Sequence, residues 1–110
     1  MQGGSFFWLS GVFNTVYHQL KKVFPVVKPY SCFTAIYPGG VWNLQLATLG
    51  DDPALVDPRK VDAIRMRPGA SLDWYTESTH RHAFVLPPIA KRVLERPPMT
   101  LDELEKSILI

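Results

Sequence analysis

A chain of 110 residues with a formal charge of +2, 46% hydrophobic and 20% charged residues has the composition of one globular domain and excludes a disordered chain. Its Lys and Arg are scattered. No block of like charge marks a nucleic-acid or membrane surface, and no apolar run approaches the ~18 residues of a membrane span. Cys32 is the only cysteine, which excludes an intrachain disulfide and a cysteine-based zinc site and fits a reducing cytoplasm.

Met1-Gln2-Gly3-Gly4 leads almost directly into an apolar-periodic segment. So abrupt a start is expected of a domain cut from something larger, and it carries neither the basic start nor the long apolar core of a signal peptide. Ser5 is the expected N-cap of a helix over 6–24. Phe6, Leu9, Phe13, Val16, Leu20 and Phe24 recur at spacings of three and four, as one helix face requires. Gly11 weakens this helix slightly, Lys21-Lys22 complement the C-terminal end of its dipole, and Pro25 ends it.

Residues 26–36, rich in Val, Tyr, Phe, Thr and Ile, predict a strand, and Pro29 inside it points to an edge position or a bulge. Pro38-Gly39-Gly40 supplies a turn. Residues 41–49 alternate, with Trp42, Leu44, Leu46 and Thr48 on one face and Val41, Asn43, Gln45 and Ala47 on the other. The segment 26–49 is therefore an expected antiparallel hairpin. Residues 50–72 hold three prolines and many charges, and read as surface loop with a short helix near 58–65. Thr76 or Ser78 caps a short helix over about 77–85. Pro87-Pro88 opens another, presenting Ile89, Val93 and Leu94, and Pro97-Pro98 stops it. Thr100-Leu101-Asp102-Glu103 fits a capping box for a last helix over 101–109 that buries Leu101, Leu104 and Ile108.

Few residues carry chemistry. Tyr37, on the hairpin turn, offers a hydroxyl to an amine and a ring to a cation, and Trp42 is a good cation–π partner. On pattern alone, both read first as ordinary sheet aromatics filling a core. Gln2 offers a donor and an acceptor, and Gly3 and Gly4 let backbone approach a ligand, although a terminus of this composition is also expected to fray. His80 and His82 are two apart and point to different faces of a helix, and no ligand set of metalloprotease type exists, so a metal site is not expected. His80 reads instead as a structural hydrogen-bonding group. The acidic residues lie mostly in loop, where solvated surface is the default. No phosphate loop, Gly-x-Gly-x-x-Gly motif or nucleophile elbow is present.

Three segments within residues 1–95 carry a family resemblance. Gln2-Gly3-Gly4-Ser5, followed by a helix closing on Val23-Phe24-Pro25, is similar to a glutamine loop that ends a Rossmann-sheet strand in the spermidine synthases (polyamine aminopropyltransferases). Tyr37-Pro38-Gly39-Gly40-Val41-Trp42 resembles that family's Tyr-Pro-Ser/Gly-Gly turn. Trp74-Tyr75-Thr76 through His80-Arg81-His82-Ala83-Phe84-Val85-Leu86-Pro87 resembles its Tyr-Tyr-Asn/Thr…His-x-Ala-Ala-Phe-x-Leu-Pro signature. Departures are Ile36 for the usual Thr before the turn, Trp74 for the first Tyr, and His82 for the first Ala.

The resemblance implies an α/β fold: the C-terminal part of a Rossmann-like, methyltransferase-type domain, with helix, antiparallel β-hairpin and short C-terminal helices. It divides the chain into 1–95, the C-terminal portion of a catalytic domain, and 96–110, a helical extension past the family's usual end. It implies transfer of an aminopropyl group from decarboxylated S-adenosylmethionine to putrescine or a related amine. Gln2 and Tyr37 would contact the amine and Trp42 would line the same pocket. The donor's Gly-rich motif, its ribose-binding acidic residue and the catalytic aspartates would lie upstream, so the chain itself holds no catalytic residue, no metal and no cofactor site. By itself it is expected to be inactive. The partners implied are the amine, and a second copy of the chain or a missing N-terminal half. The other class of function is a non-catalytic module that pairs through its sheet edge with itself or with an aminopropyltransferase.

Overall fold

The computed structural model describes residues 1–34, 36, 41–69 and 73–108. Within them run β1 (Gln2–Gly4), α1 (Ser10–Lys21), β2 (Val26–Phe33), β3 (Val41–Thr48), a 3-10 turn (Pro53–Leu55), α2 (Pro58–Arg65), α3 (Glu77–Ala83), α4 (Pro88–Glu95) and α5 (Leu101–Ile108). The strands form one antiparallel sheet in the order β1-β3-β2.

The hairpin expected from alternation forms in unbroken register from Val26 opposite Thr48 to Phe33 opposite Val41. Pro29 sits on β2, at the sheet edge, where a missing N–H costs no ladder bond. β1 was not anticipated: Gln2-Gly3-Gly4 reads as loop, yet it pairs with β3, Gln2 opposite Leu44 and Gly4 opposite Asn43. Two steps on β1 match one on β3, which is a β-bulge. Gly4 takes φ +72 there, a conformation that other residues adopt only at a cost. A Cβ at Gly3 would come within 2.9 Å of the Gln45 side chain.

The helix expected over 6–24 is shorter, Ser10–Lys21. Ser5 does not cap it. Its Oγ accepts from the amides of Phe7 and Trp8 at 3.2 and 3.1 Å, closing a turn ahead of the helix. The apolar stripe is real but shallow: Phe13 is fully buried, while Phe6, Leu9, Val16, Leu20 and Phe24 are half-buried. Phe13 packs with Ala90 and Val93 of α4, flanked by Phe6, Leu86 and Leu94.

Hydrogen bonds to side chains tie α4 and the sheet to α1. Asn14 Nδ2 donates to the carbonyls of Val93 (2.8 Å) and Arg96 (3.0 Å). His18 Nε2 donates to those of Leu94 and Arg96, both at 3.1 Å. Val93 O also accepts from Arg96 N at 3.3 Å, and α1 adds side-chain donors to the carbonyls at this helix end, where Pro97 and Pro98 bring no N–H. On the sheet side, Gln45 Nε2 donates to Phe13 O at 2.8 Å and Asn43 Oδ1 accepts from Phe6 N at 3.2 Å.

The later helices follow their local signals. Asp57 caps α2, the Thr76–Thr79 pair closes a capping box on α3, and Thr100 with Glu103 closes the one on α5. Two burial expectations fail. Ala90, not Ile89, is the buried residue of α4 beside Val93, and Leu101 is exposed. The side chain of Ile108 lies outside the described residues. α5 rests on α1 at Gly11, where an added Cβ would meet Met99 Sδ at 2.7 Å and Ser107 Oγ at 3.3 Å. The glycine that lowers helix propensity is thus the one that lets α5 approach.

Candidate functional site

The site begins with the pleat. Residues opposite one another in an antiparallel pair share a face, as do residues two apart on one strand. Gln2 faces Leu44 across β1–β3, and Leu44 faces Tyr30 across β3–β2. Trp42, two residues from Leu44, stands on that same face opposite Cys32. The sheet therefore brings Gln2 and Trp42 together on the face turned away from α1. Tyr37, the third expected site residue, lies outside the described residues, as do Pro38, Gly39 and Gly40. The strand ends that flank its turn, Phe33 and Val41, are described and pair with each other.

The opposite face fixes this arrangement. Asn43 and Gln45, neighbours of Trp42 and Leu44 in sequence, point towards α1 and are buried. Asn43 also donates from Nδ2 to Ser31 Oγ at 3.0 Å, linking β3 to β2. One residue thus locks β2, β3 and the entry to α1. The face that carries Gln2 and Trp42 is held by bonds made on its back.

Beside this face lies a cleft of about 350 Å³, at the lower end of the size of ligand pockets. Tyr30, Cys32, Phe33 and Val41 line it from the hairpin, and Trp74 and Tyr75 from the segment entering α3. None of its described lining residues is acidic. Phe33 and Trp74 are 68% and 74% exposed, so the rings stand open to a ligand. Burial raises the pKa of Tyr30, with the charge of Cys32 adding to it. Burial raises that of Tyr75 as well, with Tyr30 adding to it. Both phenols stay neutral, and what they offer is a ring face.

Tyr75 is positioned by His80, not by solvent. Its hydroxyl donates to His80 Nδ1, while His80 Nε2 donates to the Pro53 carbonyl at 2.7 Å. The carbonyl only accepts, so the proton sits on Nε2 and Nδ1 is the acceptor. His80 also packs against Phe84, which meets Tyr30 at 5.6 Å between ring centroids. The structural part expected of His80 is what it plays. His18 caps α4, and no group of three or more His, Cys, Asp or Glu able to hold a metal exists among the described residues. Two residues from Tyr30 on β2, and on the same face, Lys28 Nζ reaches Asp52 at 2.9 Å. Burial pushes the Asp52 carboxyl up, but Lys28 and the Ala54 amide outweigh it and hold the pKa below its ordinary value.

The aromatic cleft was not foreseen. Tyr30 and Phe33 read only as strand residues, and Trp74-Tyr75 only as part of a motif. No local signal marks it, because its rings come from β2 and from the segment entering α3, far apart in sequence.

Comparisons with known proteins bear on this geometry. No protein-family model matches the sequence. A polyamine aminopropyltransferase of Moorella thermoacetica is 33% identical over 93 residues, which cover 80% of this chain and 31% of that protein. One from Thermotoga neapolitana is 36% identical over 89 residues, covering 80% of this chain and 29% of that protein. Over its matched residues the chain belongs to the polyamine aminopropyltransferase family. The crystal structure of spermidine synthase from Thermotoga maritima superimposes with a TM-score of 0.73 at 33% identity, covering 84% of this chain and 32% of that one. A spermidine synthase in complex with the transition-state analogue AdoDATO gives a TM-score of 0.72 at 32% identity, with the same coverage of 84% and 32%. The mixed α/β fold is thus that of the family. The chain spans about three-tenths of the length of the relatives it matches. Among the described residues, no helix is long and apolar enough to cross a membrane.

Proposed function

We propose that this chain is the amine-binding part of an aminopropyltransferase of polyamine biosynthesis. The reaction moves an aminopropyl group from decarboxylated S-adenosylmethionine to putrescine or a related amine. The neutral amine attacks the carbon beside the sulfonium. A C–N bond forms, the C–S bond breaks, and sulfur leaves as the neutral thioether of methylthioadenosine. The proton lost from the amine passes to a carboxylate base.

In this reading Gln2 and Tyr37 hold the amine and Trp42 walls the pocket. The base and the donor site are supplied by residues outside this sequence. The observation that carries it is the placement of Gln2 and Trp42 on one sheet face, beside the base of the hairpin turn. A cytoplasmic setting, and a second copy or a donor-binding segment as partner, go with it.

Two measurements test the reading. Given decarboxylated S-adenosylmethionine and putrescine, the 110-residue chain is expected to form no spermidine. Calorimetric titration is expected to show putrescine binding that Gln2→Ala weakens roughly tenfold, the size of one lost hydrogen bond to a charged group. Spermidine formation would overturn the claim about the donor site. Binding indifferent to Gln2→Ala would overturn the claim about the amine.

A second reading, a non-catalytic module that pairs through its sheet edge, is favoured by β1. Among the described residues its outer edge meets no strand, and an open edge is a template for pairing. Sedimentation separates the two. A stable oligomer that binds no amine supports the module, and an amine-binding chain supports the transferase reading.

A further inference from the structure

We propose that two copies of this chain meet through α2 and α5, the outer face of α2 on one copy seating antiparallel against the outer face of α5 on another. The contact is independent of the amine reading above and of the open edge of β1.

Each of these helices buries one narrow face and leaves the rest uncovered. α2 rests on α3 and buries Val61. At its C-terminal end Ala63, Ile64 and Arg65 are exposed, and so are Met66 and Arg67 just past it. α5 rests on α1, with Leu104 and Ser107 half-buried, and exposes Leu101, Asp102, Glu105 and Lys106. Met66 and Leu101 are each 76% exposed. Single apolar residues on a surface are ordinary, but these two stand among opposite charges. Arg65 and Arg67 flank Met66, while Asp102 follows Leu101 and Glu105 lies one turn on. None of these four charged residues is in an ion pair among the described residues. One chain thus carries both halves of a complementary contact, and a second copy is the partner that fits.

The helices match in length as well as in charge. Both run for eight residues, about 12 Å at about 1.5 Å per residue. Packed antiparallel, their dipoles oppose, and the acidic start of α5 meets the basic end of α2. With Asp102 set opposite Met66, it lies between Arg65 and Arg67, and Leu101 covers the methionine. Glu105 then falls opposite Ala63, one turn from Lys60 and from Arg67, and Lys106 falls opposite Asp62. A slip of one residue that brings Asp102 opposite Arg65 sets Glu105 against Asp62, so like charges disfavour it. The two patches differ, which makes the contact heterologous. A pair closes where each copy's α2 takes the other's α5, and otherwise copies add head to tail. One pair of short helices is small beside a standard interface, so the association is weak, and its exposed ion pairs make it salt-sensitive.

The test is sedimentation equilibrium of the 110-residue chain at high protein concentration. The wild-type chain is expected to self-associate, about tenfold more weakly when salt rises from about 0.05 M to about 0.5 M. Two variants carry the decision: Arg65→Glu with Arg67→Glu, and Asp102→Asn with Glu105→Lys. Both leave Val61 and Leu104 in place, and each alone is expected to weaken association by at least about tenfold. Mixed in equal amounts they are expected to associate again. The native α5 of the first then meets the native α2 of the second, and the altered faces complement each other. Leu101→Ala, which alters no charge and removes no core, is expected to weaken the wild-type association roughly threefold. A monomeric wild type, a mixture that stays monomeric, or an association indifferent to Leu101→Ala would overturn the contact. Association that survives both charge variants would overturn it too, and would point to the β1 edge instead.

Discussion

The two faces of the sheet are built by opposite rules. Towards α1 the sheet buries amides: Asn43 and Gln45 are almost wholly enclosed, and each donates or accepts across an element boundary. Away from α1 it carries Trp42, Leu44 and Leu46, with Leu46 37% exposed. An ordinary half-buried sheet does the reverse, apolar in and polar out. The difference teaches where each kind of force acts. Buried amides demand partners of fixed geometry, so they set the register of β1, β3 and α1. Apolar groups are non-directional, so the face away from α1 does not set the register.

The comparison breaks most readily at its centre. Phe13→Ala empties the contact between α1 and α4 and is expected to cost about 3–5 kcal/mol, most of the stability of a chain this size. Loss of a cooperative urea transition would show it, and a cost under about 1 kcal/mol would deny the layer its role.

Gln45→Ala and Leu46→Ala sharpen the contrast, because the two residues are adjacent and face opposite ways. Gln45→Ala removes the donor to Phe13 O and leaves a void against Gly3, with an expected cost of about 2–3 kcal/mol. Leu46→Ala is expected to cost under about 1 kcal/mol, since its side chain is only partly withdrawn from water. Equal shifts in the urea midpoint would mean that the faces do not differ.

The smallest effect lies at α5. Thr100→Ala removes the Oγ bonds to Glu103, and is expected to fray this helix at a cost of about 1 kcal/mol without touching the sheet. Hydrogen bonds from the Thr100 amide and hydroxyl hold the Glu103 pKa below its ordinary value. A depressed carboxylate contributes stability above its unfolded pKa and loses it as the pH falls through its folded one. The cap should therefore be complete at neutral pH and open at acid pH below the usual carboxylate range. The Thr100 amide resonance followed against pH reports it, and a cap that opens towards alkaline pH would contradict the assignment.

What the sequence disclosed, and what it hid, divides along the same line. The β2–β3 hairpin, α2 and the caps at Thr76 and Thr100 were legible because each depends on neighbours in sequence: alternation, a proline at N1, a Thr three residues before its partner. β1 was not, because three residues with two glycines carry no pattern, and its pairing is decided by β3 forty residues away. The start of α1 was misplaced because Ser5 serves a turn, which from sequence looks the same as a cap. Alternation in β3 gave two faces but not which one meets α1. That choice is made by the Phe13 carbonyl and the Phe6 amide, groups that every residue possesses. For the site, Gln2 and Trp42 were visible only as members of motifs, while their shared face came from register. The aromatic cleft depends on Trp74 and Tyr75 returning to the hairpin after a long connection, which no local pattern records.

The most direct test of the account is a resonance-by-resonance NMR titration of the 110-residue chain with putrescine. The account predicts shifts at the Gln2 side-chain amide, the Trp42 indole and the Leu44 methyls, with the side-chain amides of Asn43 and Gln45 unmoved behind them. Shifts confined to the α1 face, or spread evenly over acidic surface residues such as Asp51 and Glu105, would contradict it.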